Sequence, residues 1–373
     1  MDITPFFKLM VDKGASDLFF SVGAPPNIKI EGITSPVGQA SIQSHQLAEI
    51  ARSIMSDSQQ KEFESNLELN IALSVEGTGR FRINVFKQCG EVAMVVRYIK
   101  GLIPSLEDLK LPKTLQSVVM ELRGLVLVVG ATGSGKSTTL ASMIDYRNQN
   151  HRGHILTIED PIEFLHEHKK SIVNQREVGI DTLSYGNALK NAMREAPDVI
   201  LIGEIRDSAT MKHAIAYAET GHLCISTLHA NNSNQTMDRI INFFSEEGKQ
   251  QVLIDLALNL RAIISLRLIP GVENQRIPAV EVLLNTPYIS DLIEKGKVDE
   301  IKEVMSRSTE QGMQTFDQSL LNLYKEGKIT KENAINYADS KNNVGLQIRL
   351  SEEKGFSSHD LTIQSDENDK SSF

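Results

Sequence analysis

Leu125-Val126-Leu127-Val128-Val129-Gly130-Ala131-Thr132-Gly133-Ser134-Gly135-Lys136-Ser137-Thr138-Thr139-Leu140 reads as a buried strand, a glycine-rich loop and the start of a helix. Gly130 to Ser137 fits G-x-x-x-x-G-K-[ST] without a mismatch. The glycines at 130, 133 and 135 permit a tight loop whose N–H groups turn inward onto phosphate. The helix that follows offers its positive N-terminus. Lys136 can reach the β- and γ-phosphates of ATP, and Ser137 can ligate Mg²⁺. The expected nucleotide-binding residues are therefore Gly130, Ala131, Thr132, Gly133, Ser134, Gly135, Lys136, Ser137 and Thr138.

Downstream of the loop, apolar runs recur at 154–158, 199–202 and 223–226, with helical stretches between them. Such alternation predicts an α/β fold with a parallel sheet covered on both faces. From Gln251 onward the pattern reads as mostly helical. Upstream lies a smaller α+β unit, residues 1–100. It opens with an amphipathic stretch at 4–11, and a helix is expected over 44–55. Short strands are expected around 18–20 and 28–30, and longer ones at 69–75, 80–88 and 91–99. Glu76-Gly77-Thr78-Gly79 and Cys89-Gly90 supply the hairpin turns. Two prolines mark residues 101–112 as a linker. Residues 113–350 form the nucleotide-binding domain, and the Ser-, Asp-, Glu- and Lys-rich stretch 351–373 reads as a disordered acidic tail.

The chain has 373 residues, 40% of them hydrophobic, and a net charge of -9. That acidity argues against a protein that tracks nucleic acid. Two unpaired cysteines, Cys89 and Cys224, leave no disulfide framework and no four-cysteine zinc site. No apolar run is long enough for a transmembrane segment, and the start lacks a signal-peptide pattern. A cytoplasmic protein is the expectation, with peripheral docking on a membrane complex left open.

Three further stretches carry chemistry. Asp198-Val199-Ile200-Leu201-Ile202-Gly203-Glu204 is an apolar strand ending in an acid, a Walker B candidate, with Gly203 where many P-loop proteins place an Asp. Glu204 is expected either to act on Mg²⁺ through a water or to orient the attacking water. Glu159-Asp160-Pro161-Ile162-Glu163 concentrates carboxylates at the C-terminal end of a strand, where α/β folds bind ligands. One of them could be a general base, or the run could be a solvated acidic loop. In Thr220-Gly221-His222-Leu223-Cys224-Ile225-Ser226-Thr227-Leu228-His229 two histidines flank a strand. Their spacing suits a γ-phosphate sensor better than a shared metal, with a structural role as the alternative for either one.

In this order the four elements resemble the type II/IV secretion-system ATPases, which drive secretion and type IV pili. The resemblance covers residues 1–345 and is nearest the PilT/PilU pilus-retraction branch. It implies a RecA-like P-loop core preceded by a PAS-like domain. Carried over by motif, Glu163 matches the catalytic glutamate, Glu204 the Walker B glutamate, and His222 and His229 the His box. The family works as a hexameric ring whose N-terminal arginines close on the nucleotide. Arg80, Arg82 and Arg97 are the candidates, Arg82 and Arg97 preferred, with Arg194 and Arg206 weaker. Implied partners are further copies of the chain, a PilT-like retraction ATPase and an inner-membrane pilus platform protein, with the chain peripheral to the inner membrane at the pilus base. Lone retraction motors carry Ala-Ile-Arg-Asn-Leu-Ile-Arg-Glu. The corresponding Tyr288-Ile289-Ser290-Asp291-Leu292-Ile293-Glu294-Lys295 has lost both arginines. This points to the accessory side of the branch. A nucleotide-gated adaptor with little turnover, a secretion or pilus-assembly ATPase and a DNA translocase are the alternatives.

Overall fold

The computed structural model describes residues 2–30, 32–99, 101–273 and 275–354. The opening stretch is helix α1 (Thr4–Asp12), which buries Phe7 and Met10. The first sheet follows as β1 (Asp17–Ser21), β2 (Asn27–Ile30), β3 (Ile33–Pro36), β4 (Glu68–Val75), β5 (Gly79–Gln88) and β6 (Glu91–Ile99). Between β3 and β4 lie α2 (Ser44–Ser53) and a helix the sequence reading did not anticipate, α3 (Asp57–Asn66). The strand order is β3-β2-β1-β6-β5-β4, antiparallel throughout. Alternation on β5 buries Phe81, Ile83 and Val85 and puts Arg80 and Arg82 on the opposite face.

Residues 101–112 are not a free tether: Leu106 and Leu111 are buried under the second sheet. That part of the chain runs α4 (Thr114–Val119), β7 (Gly124–Gly130), α5 (Lys136–Asn150), β8 (His154–Glu159), β9 (Ile172–Glu177), α6 (Tyr185–Ala192), β10 (Val199–Ile202), α7 (Ser208–Glu219) and β11 (Leu223–Leu228). Next come α8 (Ser233–Asn242), α9 (Glu246–Asn259), β12 (Leu260–Pro270) and β13 (Arg276–Leu284). The chain ends in α10 (Pro287–Glu294), α11 (Ile301–Arg307), α12 (Phe316–Lys325), α13 (Lys331–Asn336) and α14 (Lys341–Lys354).

The second sheet is ordered β13-β12-β7-β11-β10-β8-β9. All its pairs are parallel except β12–β13. Strand β7 explains why both faces need helices. Leu125, Leu127 and Val129 join one core, and Val126 and Val128 join the other.

Three expectations need correction. The region after Gln251 is not simply helical, because β12 and β13 are long strands. Leu260, Ile263, Ile264 and Leu268 carry a helix-like spacing, and no Gly or Pro separates them from α9, so periodicity alone cannot find the change. Strand β9 was missed because it is a polar edge strand, with Asn174, Gln175 and Arg176 at its centre. The tail expected to be disordered from Ser351 is helical as far as Lys354, and the rest of it, 355–373, lies outside the described residues.

Candidate nucleotide site

Strand β7 delivers the chain to Gly130, and α5 begins at Lys136. Gly133 and Gly135 take φ of 76° and 93°, which glycine alone adopts cheaply. At Gly130 the constraint is space. A Cβ there would lie 2.6 Å from the Leu266 carbonyl oxygen and would collide with Ser134 Oγ. The Lys136 ammonium donates to the carbonyls of Gly130 and Ala131 at 2.7 and 2.9 Å. Burial pushes its pKa down, opposed by Glu204 and Glu163. Beside the loop is a cavity of about 500 Å³, lined by Thr132, Lys136, Ser137, Glu163, Glu204 and His229 among others.

The neighbouring order β11-β10-β8 brings three strand ends to that cavity. From the turn after β8, Glu163 accepts the Ser137 hydroxyl at 3.0 Å. Just past β10, Glu204 faces His229 Nε2 at 3.0 Å and accepts Arg206 Nε at 2.7 Å. Ser137, Glu163 and Glu204 are hard oxygen donors, the kind a divalent metal takes. Among the described residues no group of three or more His, Cys, Asp or Glu could hold a metal by itself. Ser137, Glu163 and Glu204 would fit a divalent ion that keeps waters and completes its shell with substrate phosphates.

Residues outside the expected set, or low in it, also line the cavity. Glu159 lines the cavity and accepts Thr157 Oγ1 at 2.7 Å and Gln175 Nε2 at 3.2 Å. Burial pushes its carboxyl up to about 7, against those two hydrogen bonds. Its place in the acidic run was the available signal. Arg206, taken as a weaker candidate, lines the cavity and lies 3.9 Å from Asp160. His166, Tyr185 and Arg276 also line it, and nothing in their local sequence announces them. Burial pulls His166 down to about 4, so its ring is neutral at neutral pH.

Other candidates stand apart from the cavity within one chain. His222 precedes β11 at its far end, with Nδ1 at 3.1 Å from Thr220 Oγ1 and 3.2 Å from the Tyr217 carbonyl oxygen. Arg97 donates to the buried Asp17 at 2.9 Å. Arg82 lies 4.0 Å from Glu177, in a cleft that also includes Asp160. Glu177 in turn accepts the Ile162 N–H at 3.4 Å, inside the turn that carries Glu163. Arg194 sits in the short turn after α6.

A parallel sheet with its phosphate loop, strand-end acids and cavity on one edge defines a RecA-like P-loop ATPase. The model of the type II/IV secretion system protein family matches residues 3–353, and the chain belongs to that family. It is 52% identical to the type IV pilus ATPase PilU of Pseudomonas aeruginosa, over 95% of this chain and 93% of that one. It is 43% identical to the type IV pilus retraction ATPase PilT of the same organism, over 90% of this chain and 97% of that one. The crystal structure of the pilus retraction motor PilT with bound ADP superposes with a TM-score of 0.86 at 41% identity, covering 92% of this chain and 98% of that one.

Proposed function

We propose that this chain is a homohexameric, ATP-hydrolysing motor that supports type IV pilus retraction, and with it twitching motility, beside a PilT-like partner. The observation that carries this is the meeting of Ser137, Glu163, Glu204 and His229 at one cavity beside the phosphate loop. Likeness to PilU and PilT supplies the pilus context.

In this reading the loop N–H groups and Lys136 hold the phosphates. Ser137 would hold Mg²⁺, with Glu204 supporting it through a water. Mg²⁺, when bound, neutralises charge on the β- and γ-phosphate oxygens. Glu163 polarises the attacking water. His229, in contact with Glu204, senses the γ-phosphate. Arg82 and Arg97 would act from the N-terminal sheet once subunits or domains close. His222 would act only across a subunit boundary. The motion would be passed to an inner-membrane platform protein, with the chain held on the cytoplasmic side. No described helix is long and apolar enough to cross a membrane.

A second reading, a nucleotide-gated adaptor with little turnover, draws on Ser290 and Glu294. Ser290 Oγ donates to the Ala257 carbonyl at 2.7 Å, securing α10 to α9, and Glu294 is exposed. One experiment separates the two. Retraction force is measured in a strain lacking the gene, in one lacking it and its PilT-like partner, and in one carrying Glu204→Ala. The motor reading expects reduced force with the single deletion and with Glu204→Ala, whose purified protein still binds ATP without turning it over. Full force from Glu204→Ala together with loss on deletion supports the adaptor. Unchanged force in the single deletion removes both.

A further inference from the structure

Arg267 in β12 bonds both to the C-terminal helices and to the loop that follows β11. Its guanidinium stacks over the Phe316 ring of α12 at 3.8 Å. One Nη lies 2.7 Å from Asp339 Oδ1 and donates to the Tyr337 carbonyl at 3.0 Å. Lys302 of α11 takes the other Asp339 oxygen at 2.6 Å. These contacts tie α11, α12 and the turn before α14 to β12.

The second Nη points elsewhere. It donates to the Asn231 carbonyl oxygen at 3.3 Å. Asn231 is two residues past His229, in the loop between β11 and α8. That loop's other holds are local or come from β13. Asn231 N–H donates to Gln235, and the Ser233 N–H and hydroxyl both donate to the buried Glu281. Arg267 thus spans from the C-terminal helices to the His229 loop itself, beside a second link one turn on, where Asn234 of α8 donates to the Val298 carbonyl at 3.1 Å. Its neighbour Leu266 lies against Gly130 of the phosphate loop. Side-chain exposure is 22% for Arg267 and 14% for Asp339, so solvent screens the pair only in part. A planar fork with five donors can hold three acceptors at once, which a lysine ammonium on a flexible stem cannot do in the same geometry.

The geometry points to Arg267 as a positioning residue that fixes the His229 loop to the C-terminal helices, so that movement of those helices displaces His229 relative to Glu204. It deepens the reading of His229 as the γ-phosphate sensor and rests on it.

The test uses the full-length assembled protein with Mg-ATP. Turnover is measured for Arg267→Lys, His229→Ala and the double variant, with amide exchange followed over residues 230–236. Arg267→Lys is expected to lower kcat about tenfold with KM changed less than about twofold, and to speed exchange in the loop. In the His229→Ala background the same substitution is expected to cost less than about twofold, because it acts through the missing group. An equal loss in both backgrounds, or unchanged kcat with the fold retained, overturns the proposal while leaving the sensor reading standing. Full turnover of His229→Ala overturns the sensor reading itself. If Arg267→Lys fails to fold, Asp339→Asn goes through the same cycle: it keeps the guanidinium and removes its anchor, and additivity there is equally fatal.

Discussion

Glu159 closes β8 with its carboxylate between Thr157 and Gln175, beside the phosphate loop. Its pKa rises from 4.5 to about 7, chiefly through burial, with Glu163 and Glu177 adding to the rise. The sign follows from linkage. The folded state holds this proton more tightly than the unfolded chain, so the stabilisation is complete below 4.5 and is lost as pH climbs through 7. The full span is on the order of 3 kcal/mol. Glu159→Gln cannot ionise, and its amide oxygen can still accept from Thr157 and Gln175. We expect denaturant unfolding to show the variant gaining stability relative to the parent between about pH 5 and 7, then holding a constant difference. A difference independent of pH would mean that the carboxyl ionises as freely as in the unfolded chain.

At the scale of elements, the strand ends explain a departure from the usual P-loop pattern. Gly203 stands after β10 where many such proteins place an Asp. A Cβ there would meet Tyr185 Oη at 2.8 Å, the Glu159 Cα at 3.2 Å and the Ile158 carbonyl oxygen at 3.3 Å. The backbone of β8 and the ring at the start of α6 fill the space, and the strand-end acid stands one residue on, at Glu204. Gly203→Asp is expected to destabilise the fold by about 1–3 kcal/mol, as overpacking does. It should also cut kcat at least about tenfold by displacing Glu159 and Tyr185. Wild-type turnover and an unchanged Tm would show that the strands can part without cost. The same edge shows what periodicity can read. Strands β7, β8, β10 and β11 are central, apolar on both faces and plain in the sequence. Edge strand β9 is polar and was not, and β12 is disguised by helix-like spacing.

For the whole molecule, charge and domain contact matter most. The net charge of -9 leaves little attraction for a polyanion. We expect ATP turnover of the assembled protein to be unchanged by single- or double-stranded DNA at physiological salt. Stimulation by either would restore the translocase reading. In the first sheet Lys29, Asp17, Arg97 and Arg82 stand in one cross-strand row. Arg97 spends its charge on Asp17 inside that sheet, while Arg82 reaches Glu177 of the second sheet. Through the Ile162 N–H, that contact connects the N-terminal sheet to the turn carrying Glu163. The two preferred arginines look alike in sequence, and the fold gives them different neighbours.

The sequence by itself determined the phosphate loop, the central strands behind it and the acids at their ends. Each of these is local: a glycine pattern sets a backbone path, and an apolar run followed by an acid needs only its own residues to be recognised. Tertiary structure alone decided which acids meet. Strand order placed Glu163, Glu204 and His229 at one cavity, left His222 at the far end of β11, and brought Arg206, Tyr185 and His166 in from segments with no motif. It also bound the C-terminal helices to the His229 loop through Arg267. These are pairings between residues far apart in the chain, settled by which strands and helices can bury their apolar faces together, and no local pattern encodes them.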